Sequence, residues 1–416
     1  MLRSLFSGIS GLRSHQTMLD VTGNNIANVN TTGFKSSQVQ FQDTLSQVLS
    51  NAGGAQNGQG GTNPAQVGLG VRVAGITTNF TQGASQLTGR STDMMIQGDG
   101  FFVVRKGNET YYTRDGSFDF DATGQMVLPG DGALVQGWAA TNGVIDTNGP
   151  LTDLSVPAGT LMAAQGTANA TFQGNLDSSA APGTTITRSL TVYDATGEAS
   201  TLNLTFTKGA TATAPWTLQG TRVAADGTTI ATATYNTAAV PPAVAGEVDF
   251  DPATGALTSP GTLTVGVGAS AVKVDLSSLT GFSGVDTVKG LSQDGHAAGT
   301  LQSFQLGQDG TITGSFSNGL KQVIGRLALA NFTNPVGLEK AGGSLFTTTV
   351  NSGTIQLGTP GSGGRGTLAG GSLEMSNVDL SSEFTNLIVA QRGFQANARV
   401  ITTSDQVLQE LVDLKR

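Results

Sequence analysis

The C-terminal stretch of the chain reads DLSSEFTNLIVAQRGFQANARVITTSDQVLQELVDLK, residues 379–415. It contains no proline and no cluster of turn residues, and its apolar side chains recur with heptad spacing. The stripe consists of Leu380, Phe384, Leu387, Phe394, Ala398, Ile401, Leu408 and Val412, with Gln391 and Asp405 as polar members. This spacing predicts one helix of about 37 residues, roughly 55 Å long. Gly393 near its middle predicts a close packing contact or a slight bend.

A second apolar stripe opens the chain. Its members follow a spacing of three and four residues and predict a helix over about the first 30 residues; they are Leu2, Leu5, Ile9, Leu12, Leu19 and Ile26, with Gln16 and Gly23 completing the stripe. The turn formers Asn24, Asn25, Asn28 and Gly33 predict where this helix ends.

The free-energy balance of these two helices predicts that their order depends on contacts with neighbouring chains. Burying one stripe against one partner yields roughly 10 to 20 kcal/mol, whereas ordering each residue costs about 1 to 2 kcal/mol, recovered only in part by hydrogen bonds. We therefore expect both helices to be frayed or disordered in the free chain, and to become ordered when neighbouring chains cover them.

Between the ends, the apolar pattern changes to a period of two. Residues 189–193 and 201–206 alternate around the turn Asp194-Ala-Thr-Gly197 and predict a hairpin. Similar turn signals predict a mostly β interior; they lie at 115–116, 121–124, 131–132, 226–227, 251–255 and 309–310. Residues 50–64 and 357–366 are glycine-rich and typical of linkers.

Composition excludes several classes of partner. The formal net charge is -8 and no cluster of lysine and arginine occurs, so we expect no nucleic-acid binding. No run approaches the roughly 18 apolar residues of a membrane span, so we expect no membrane insertion. The N-terminus lacks the apolar region and cleavage site of a secretory signal, which predicts that any export is uncleaved. Only 12% of residues are charged and 59 are glycine, which suits close approach between chains.

Catalytic patterns are weak. His15 and His296 are the only histidines and there is no cysteine, so a histidine cluster or a thiolate site cannot form in one chain. Residues 119–124 match the start of a calcium loop, but Gly130 stands where its last acidic ligand belongs. Residues 68–73 lack the final glycine of a dinucleotide fingerprint. We expect no catalytic residues, no cofactor and no metal site, although a carboxylate pair among the 29 acidic residues stays open.

Several motifs together resemble the flagellar rod and hook family. They are Ser7-Gly-Ile-Ser-Gly-Leu12, Asn24-Asn-Ile-Ala-Asn-Val-Asn-Thr-Thr-Gly-Phe-Lys35, Ile96-Gln-Gly-Asp-Gly-Phe-Phe-Val-Val104, Tyr112-Thr-Arg-Asp-Gly-Ser-Phe118 and Ala390-Gln-Arg-Gly-Phe-Gln-Ala-Asn-Ala-Arg-Val-Ile-Thr402. The positions carried over as family motif are Asn25, Asn28, Thr32, Gly33, Phe34, Lys35, Gln391, Arg392 and Asn397. The resemblance covers about residues 1–145 and 285–416. Two departures occur: Gly393-Phe394 replaces the more usual Ala-Tyr, and His296 occupies a position that is usually aromatic.

The resemblance implies an α+β architecture in which the terminal helices pair as a coiled-coil-like core domain and two mainly β domains lie between them, the outer inserted in the inner. The implied domains are a helical core of 1–30 plus 375–416, a linker region of 31–72 plus 357–374, an inner β domain of 73–145 plus 285–356 and an outer β domain of 146–284. The stripe residues then form the expected self-assembly seam: Leu5, Ile9, Leu12, Leu19, Ile26, Leu380, Phe384, Leu387, Phe394, Ile401, Leu408 and Val412.

The function that the resemblance implies is a homopolymer, a helical tube of the extracellular flagellum that encloses the export channel and transmits torque as a universal joint. Implied partners are the rod, the hook cap, the hook-filament junction proteins and the export apparatus. Segment 146–284, which the distal rod type is expected to lack, favours the hook type, with the distal rod type as the alternative. A secreted β-rich hydrolase or adhesin is the rival from another class. It would fold as a stable monomer.

Overall fold

The structure is a computed structural model that describes residues 2–54, 58, 60–157, 159–211, 214–234, 247–259, 261–266 and 271–413. The predicted α+β class is confirmed, because a helix lies at either end and the part between them is mainly β. The chain divides into two compact units. Unit 1 comprises Met1–Pro157, Phe304–Gly314 and Gln322–Arg416, and unit 2 comprises Ala158–Ser303 and Ser315–Lys321. The four-part division into core, linker, inner and outer domains stays a prediction.

The two terminal helices follow the apolar spacing of the sequence. Helix α1 spans Leu2–Ala27 and helix α2 spans Leu380–Asp413. Asp379 caps α2, since its carboxylate accepts the Ser381 backbone N–H at 2.9 Å. Of the residues predicted for these helices, Met1, Leu414 and Lys415 and the side chains of Leu2 and Leu411 lie outside the described part.

The strands before unit 2 are short and mostly antiparallel. Their bounds are β1 Ser37–Asp43, β2 Ser46–Ser50, β3 Ala65–Gly68, β4 Val71–Thr78, β5 Ser85–Leu87, β6 Met94–Gln97, β7 Phe101–Lys106, β8 Glu109–Thr113, β9 Asp119–Phe120, β10 Met126–Leu128, β11 Ala133–Thr141, β12 Val144–Ile145 and β13 Thr152–Asp153. Strands β2 and β3 pair on either side of the stretch predicted as a linker, whose residues 55–57 and 59 lie outside the described residues.

The next strands belong largely to unit 2. Their bounds are β14 Leu161–Met162, β15 Asn169–Asn175, β16 Thr185–Tyr193, β17 Ala199–Lys208, β18 Trp216–Ala224, β19 Thr229–Thr234, β20 Glu247–Val248, β21 Thr262–Val265, β22 Val272–Thr280, β23 Lys289–Gln293 and β24 Gly299–Leu306. The predicted hairpin is β16–β17, paired from Thr185↔Thr207 to Tyr193↔Ala199. Its turn is fixed by the Asp194 carboxylate, which accepts the Thr196 and Glu198 backbone N–H groups at 2.9 and 2.8 Å.

The chain then returns towards α2. The remaining strands are β25 Thr311–Phe316, β26 Lys321–Leu327, β27 Leu329–Phe332, β28 Glu339–Gly342, β29 Leu345–Thr347, β30 Ile355–Gly358, β31 Thr367–Gly370 and β32 Ser372–Glu374, with a 3-10 turn at Pro335–Gly337. In unit 1, one antiparallel sheet has the order β26-β11-β7-β8-β29-β28. Strands β31 and β32 pair with β6 and β5, so the segment before α2 is hydrogen-bonded to residues 85–97.

Unit 2 contains its own apolar core between two sheets, β21-β22-β15-β23 and β16-β17-β18-β19. Alternate residues of β17 point inward, as the period of two requires. Leu202, Leu204 and Phe206 are fully buried there, and Trp216 of β18 joins the same cluster. Unit 1 has a smaller aromatic cluster around Phe101, Tyr112, Trp138, Phe332 and Phe346.

Candidate functional site: the paired terminal helices and their junction

Helices α1 and α2 lie antiparallel and meet through glycines. A Cβ atom added to Gly11 would lie 2.6 Å from Asn397 Oδ1, and one added to Gly393 would lie 2.5 Å from the His15 ring. Gly8 similarly faces Ile401, whose Cγ1 would be 3.2 Å from an added Cβ. Each side chain of this crossing therefore fills a notch that glycine leaves in the opposite helix, as in other close helix contacts.

The predicted self-assembly seam is only partly used in this contact. Within the described chain the N-terminal members are half-buried, namely Leu5, Ile9, Leu12, Leu19 and Ile26. On α2 the half-buried members are Leu387, Ile401 and Leu408, whereas Leu380, Phe384, Phe394 and Val412 are exposed. The structure thus brings part of the seam together and leaves the rest facing solvent.

Helix α2 has uncovered apolar side chains on both sides of its contact with α1. At about 100° per residue, Leu380, Phe384 and Phe394 lie on one flank, and Val389, Val400 and Val407 lie on the other. All six are classed as exposed, with Phe384 at 52% and Val389 at 54%. One partner helix covers one face, so these flanks are available to further chains.

Asn25 connects three elements where α1 ends. Its side chain is buried, donates to the Ser37 carbonyl at 2.8 Å and to Glu383 Oε1 at 3.0 Å, and accepts the Ser37 backbone N–H at 3.0 Å. The amide therefore ties the end of α1 to the start of β1 and to the first turn of α2. Asn377 makes a parallel connection, because it accepts the Ser36 N–H at 2.8 Å and donates to the Asn79 carbonyl at 2.8 Å.

Lys35 and Glu374 form an ion pair whose side chains are both fully buried. Lys35 Nζ lies 2.6 Å from Glu374 Oε1 and also donates to the Thr81 carbonyl at 2.8 Å. Glu374 Oε1 accepts the Gly83 backbone N–H at 2.8 Å. Burial lowers the pKa of Lys35 below its usual value, since the ammonium loses hydration, and the attraction of Glu374 opposes that shift.

Arg114 completes this buried cluster. Its Nη1 lies 3.4 Å from Glu374 Oε2, so one carboxylate faces two cations. Burial lowers the pKa of Arg114, and the nearby Glu374 and Asp99 charges oppose the shift. Its Nε is buried and has no hydrogen-bond partner among the residues that the structure describes. The cluster depends on Glu374, because removing it leaves two buried positive charges together.

The rest of the family motif closes the turn between α1 and β1. Gly33 has a φ of +65°, and a Cβ added there would lie 2.5 Å from the Asp115 backbone nitrogen. Only glycine fits this position without strain. Phe34 packs under Lys340, whose Nζ is 4.9 Å from the ring centroid. The other members lie in the same turn: Asn28 accepts the Thr31 hydroxyl at 3.1 Å, and the Thr32 carbonyl accepts the Ser344 hydroxyl at 3.4 Å.

On α2 the family-motif residues have different surroundings. Asn397 is half-buried against Gly11 and donates to the Gly393 carbonyl at 2.8 Å. Gln391 and Arg392 are exposed. The structure therefore brings together the N-terminal motif residues and places Asn397 in the helix contact.

Sequence reasoning missed several residues of this site. Glu374, Glu383 and Asn377 carry the junction, yet an isolated acid or amide in a polar sequence gives no sign that it will be buried. Gly8 and Gly11 were detectable in principle. Gly8 and Gly11, three residues apart, lie on the same face of α1, where two residues without side chains allow another helix to approach closely.

The groups of this site form hydrogen bonds and ion pairs that connect distant parts of the chain. Among the described residues, no group of three His, Asp or Glu side chains is placed to hold a metal ion. No described helix is long and apolar enough to cross a membrane. What the site does is hold both chain ends in one hydrogen-bonded junction and present apolar flanks beside it.

Family models match four segments of the chain. They are the flagella basal body rod protein model over residues 5–35, the flagellar hook protein FlgE/F/G D1 domain over 95–172, the flagellar basal body protein FlaE D2 domain over 163–296, and the flagellar basal body rod FlgEFG protein C-terminal model over 369–414. The first covers most of α1 and the turn up to Lys35, and the last covers Glu374 and α2.

Individual relatives match over full length. The chain is 40% identical to the flagellar hook protein FlgE of Borreliella burgdorferi, covering 100% of both. It is 32% identical to the flagellar basal-body rod protein FlgG of Bacillus subtilis, again covering 100% of both. Its fold is similar to that of the Helicobacter pylori flagellar hook protein FlgE2, with a TM-score of 0.50 and 14% identity over 68% of this chain and 98% of that one.

Proposed function

This chain belongs to the flagellar hook protein family and is a structural subunit of the bacterial flagellar hook, and we propose that it polymerises through the two uncovered flanks of α2. The observation that carries this proposal is the pattern of exposure on α2: α1 covers one face, and apolar side chains remain in solvent on both sides of it. Each flank fits a neighbouring terminal helix, so a chain in the tube would have helical neighbours on both sides.

The free energy gained by burying the flanks is of the size that assembly requires. Fully burying a large apolar side chain is worth about 1.5 to 3 kcal/mol, and the six flank residues are already partly covered, so each adds about 1 kcal/mol. That sum is comparable to the entropy lost when one chain joins a polymer. Assembly would then be favourable only when several neighbours contribute, which gives a cooperative, open-ended tube.

In this proposal the terminal core of 1–30 plus 375–416 lines an axial export channel, surrounded by the linker region of 31–72 plus 357–374. The inner domain of 73–145 plus 285–356 and the outer domain of 146–284 face outward. The junction of Asn25, Lys35 and Glu374 keeps the two chain ends together. It would transmit force from the helices to the β strands of the same chain.

The mechanical role that we propose is a universal joint that transmits torque from rod to filament. Continuous apolar contacts between helices resist twisting, while the β domains slide on polar contacts that exchange with water at about 1 kcal/mol or less each. The low charged fraction of 12% supports this, since few ion pairs must break. A covalent cross-link between the β domains of adjacent subunits should stiffen the tube. Unchanged curvature in electron micrographs of the cross-linked tubes would contradict the sliding mechanism.

We further infer the cellular setting. The hook subunit would contact the rod, the hook cap and the hook-filament junction proteins, and would leave the cell through the flagellar export apparatus without a cleaved signal, to act outside the cell. It would act by assembly rather than catalysis. The expectation that the distal rod type lacks segment 146–284 is wrong for the matched rod relative, which aligns with the whole of this chain. The distal rod role is therefore the second candidate. A reconstituted tube that is straight and rigid would favour the rod.

The test of the proposal removes the flanks. Replacing Phe384 and Val400 with serine should prevent tube formation by the full chain, as seen by sedimentation and electron microscopy, because both flanks lose an apolar contact. The matched control replaces Val285, an exposed valine of unit 2, with serine and should assemble normally. Normal tubes from the flank variant would refute polymerisation through α2.

A further inference from the structure

A groove lies between α1 and β4 in unit 1, away from the glycine contact between α1 and α2. It has a volume of about 420 Å³, and we name it the arginine groove after Arg13 and Arg72. Its apolar lining is Phe6, Ile9, Val71 and Val73. Phe6 is 64% exposed, so a large aromatic ring stands open to solvent in this part of the protein.

The wall of the arginine groove is held in place. The Ser10 hydroxyl donates to the Ser7 carbonyl at 2.8 Å and accepts the Val71 backbone N–H at 3.2 Å, which fixes β4 against α1. Gly70 has a φ of +124°, and it approaches Ser10 so closely that a side chain would collide there. The groove is therefore a built feature of the fold and does not depend on an occupant for its shape.

The charges of the groove have no counterpart nearby. Neither Arg13 nor Arg72 forms an ion pair with any residue that the structure describes, although Arg72 Nη2 donates to Gln42 Oε1 at 3.2 Å. Two guanidinium groups beside apolar side chains fit an amphipathic segment that carries carboxylates. The groove thus selects for a partner that is both apolar and acidic.

Residues 405–413 of α2, which we call the acidic tail, have this chemistry. They contain Asp405, Glu410 and Asp413 together with the exposed Val407 and Val412. At about 100° per residue, Glu410 and Asp413 project from the side of α2 opposite its own α1. Neither carboxylate makes an ion pair within the described ranges.

The spacing of the two surfaces also agrees. Val407 and Asp413 are six residues apart, or about 9 Å along the helix axis, and Phe6 and Arg13 are seven apart, or about 10 Å. An apolar contact at one end therefore allows an ion pair at the other. A carboxylate on the outer side of α2 cannot face the α1 of its own chain, so the occupant must come from another molecule.

We infer that the arginine groove of one hook subunit receives the acidic tail of a second copy, with Val407 against Phe6 and the carboxylates of Glu410 and Asp413 against Arg13 and Arg72. This contact rests on the proposed polymerisation and adds a polar interface that shares Val407 with one of the apolar flanks. It would fix the longitudinal register between neighbouring chains, since charges on a rim contribute more to specificity than to affinity.

Charge reversal with rescue tests the contact in the full chain. Changing Arg13 and Arg72 to glutamate should raise the critical concentration for tube formation about tenfold, a modest effect because the pairs are exposed. Adding Glu410→Arg and Asp413→Arg to the same chain should restore assembly to within about threefold of the original. A matched control, Lys289→Glu with Lys321→Glu in unit 2, makes the same change in net charge and should have no effect. Normal assembly of the first variant, or no rescue by the second, would overturn the inference.

Cross-linking identifies the occupant directly, because the chain contains no cysteine. Tubes made from equal amounts of Phe6→Cys and Val407→Cys chains should form a mixed disulfide dimer on oxidation, whereas Phe6→Cys with Leu161→Cys should not. A monomer carrying both Phe6→Cys and Val407→Cys that closes an internal disulfide would show that the tail binds in its own chain. If the serine flank variant still forms tubes and these dimers appear, the flank proposal fails and the arginine groove stands.

Discussion

The core of unit 2 and the terminal helix pair contain similar apolar side chains and use them in opposite ways. In unit 2, Leu204, Phe206 and Trp216 are fully covered by strands of the same unit. On α2, Phe384, Val389 and Val400 remain exposed although α1 packs beside them. One region is therefore complete within a single chain, whereas the other leaves apolar surface exposed that neighbouring chains can cover.

The two regions also differ in the size of the residues that make their contacts. Unit 2 interdigitates large side chains, which is how a permanent core is packed. The helix pair instead meets at Gly8, Gly11 and Gly393, where little apolar area is buried within one chain. We expect unit 2 to unfold as an independent cooperative unit, and the helices to depend on assembly for most of their stability.

The largest effect should come from the core of unit 2. Phe206→Ala should lower its free energy of unfolding by about 3 to 5 kcal/mol, because a fully buried ring leaves a cavity. Phe384→Ala should change the free energy of unfolding of unit 1 by less than about 0.5 kcal/mol, since an exposed ring covers little. Urea unfolding followed by Trp216 fluorescence in a Trp138→Phe background measures unit 2, and Trp138 fluorescence in a Trp216→Phe background measures unit 1. Equal effects would remove the distinction between the two regions.

The junction should give the next largest effect. Glu374→Gln should destabilise unit 1 by about 3 kcal/mol at neutral pH, because Lys35 and Arg114 would remain buried without a negative charge. The control Glu339→Gln alters an exposed carboxylate and should be nearly silent. Unfolding monitored by Trp138 fluorescence checks this. A silent Glu374 variant would mean that the junction does not hold the chain ends.

The core of unit 2 and the junction also differ in how well the sequence predicted them. Alternation identified β16 and β17 and their turn at Asp194, and heptad spacing identified both helices to within a few residues, since local patterns determine such elements. The role of Glu374 was not predictable, because its burial depends on Lys35 and Arg114, which are far away in the sequence. The self-assembly seam stays a prediction. Within one chain the helices meet at Gly8, Gly11 and Gly393, and the sequence predicted a close contact only at Gly393.

A smaller effect should come from replacing glycines of α1 with alanine. Comparing an open position with one in the helix contact separates the cost of the contact from the gain in helix propensity. Alanine is favoured over glycine by about 1 kcal/mol inside a helix, so Gly23→Ala, which meets nothing within 4 Å, should stabilise α1 by roughly that amount. Gly11→Ala gains the same propensity but forces its Cβ against Asn397, whose amide is held by the Gly393 carbonyl. We expect a net loss of about 1 kcal/mol in thermal melts of tubes followed by circular dichroism. If both variants behave alike, the glycine notches do not set the helix spacing.

The smallest effect should be acid sensitivity of unit 2. Hydroxyl donation by Thr196 lowers the pKa of Asp194, and donation by Thr228 lowers the pKa of Asp226. A lowered pKa in the folded state means that the carboxylates stabilise it above about pH 3.9, the unfolded value, and that this is lost as pH falls through the folded values. The free energy of unfolding of unit 2 should therefore fall as the pH is lowered from about 5 to about 2. It should fall less steeply in an Asp194→Asn, Asp226→Asn variant. An unchanged slope would contradict this origin of the acid response.

The central claim is that the terminal helices are incomplete in one chain and completed by neighbours. Amide hydrogen exchange, measured by mass spectrometry on the same protein as free subunit and as tube, tests it most directly. We predict that peptides from 380–413 exchange rapidly in the free subunit and become strongly protected in the tube, while peptides from β17 and β18 are protected equally in both. Strong and equal protection of α2 in the free subunit would contradict the claim.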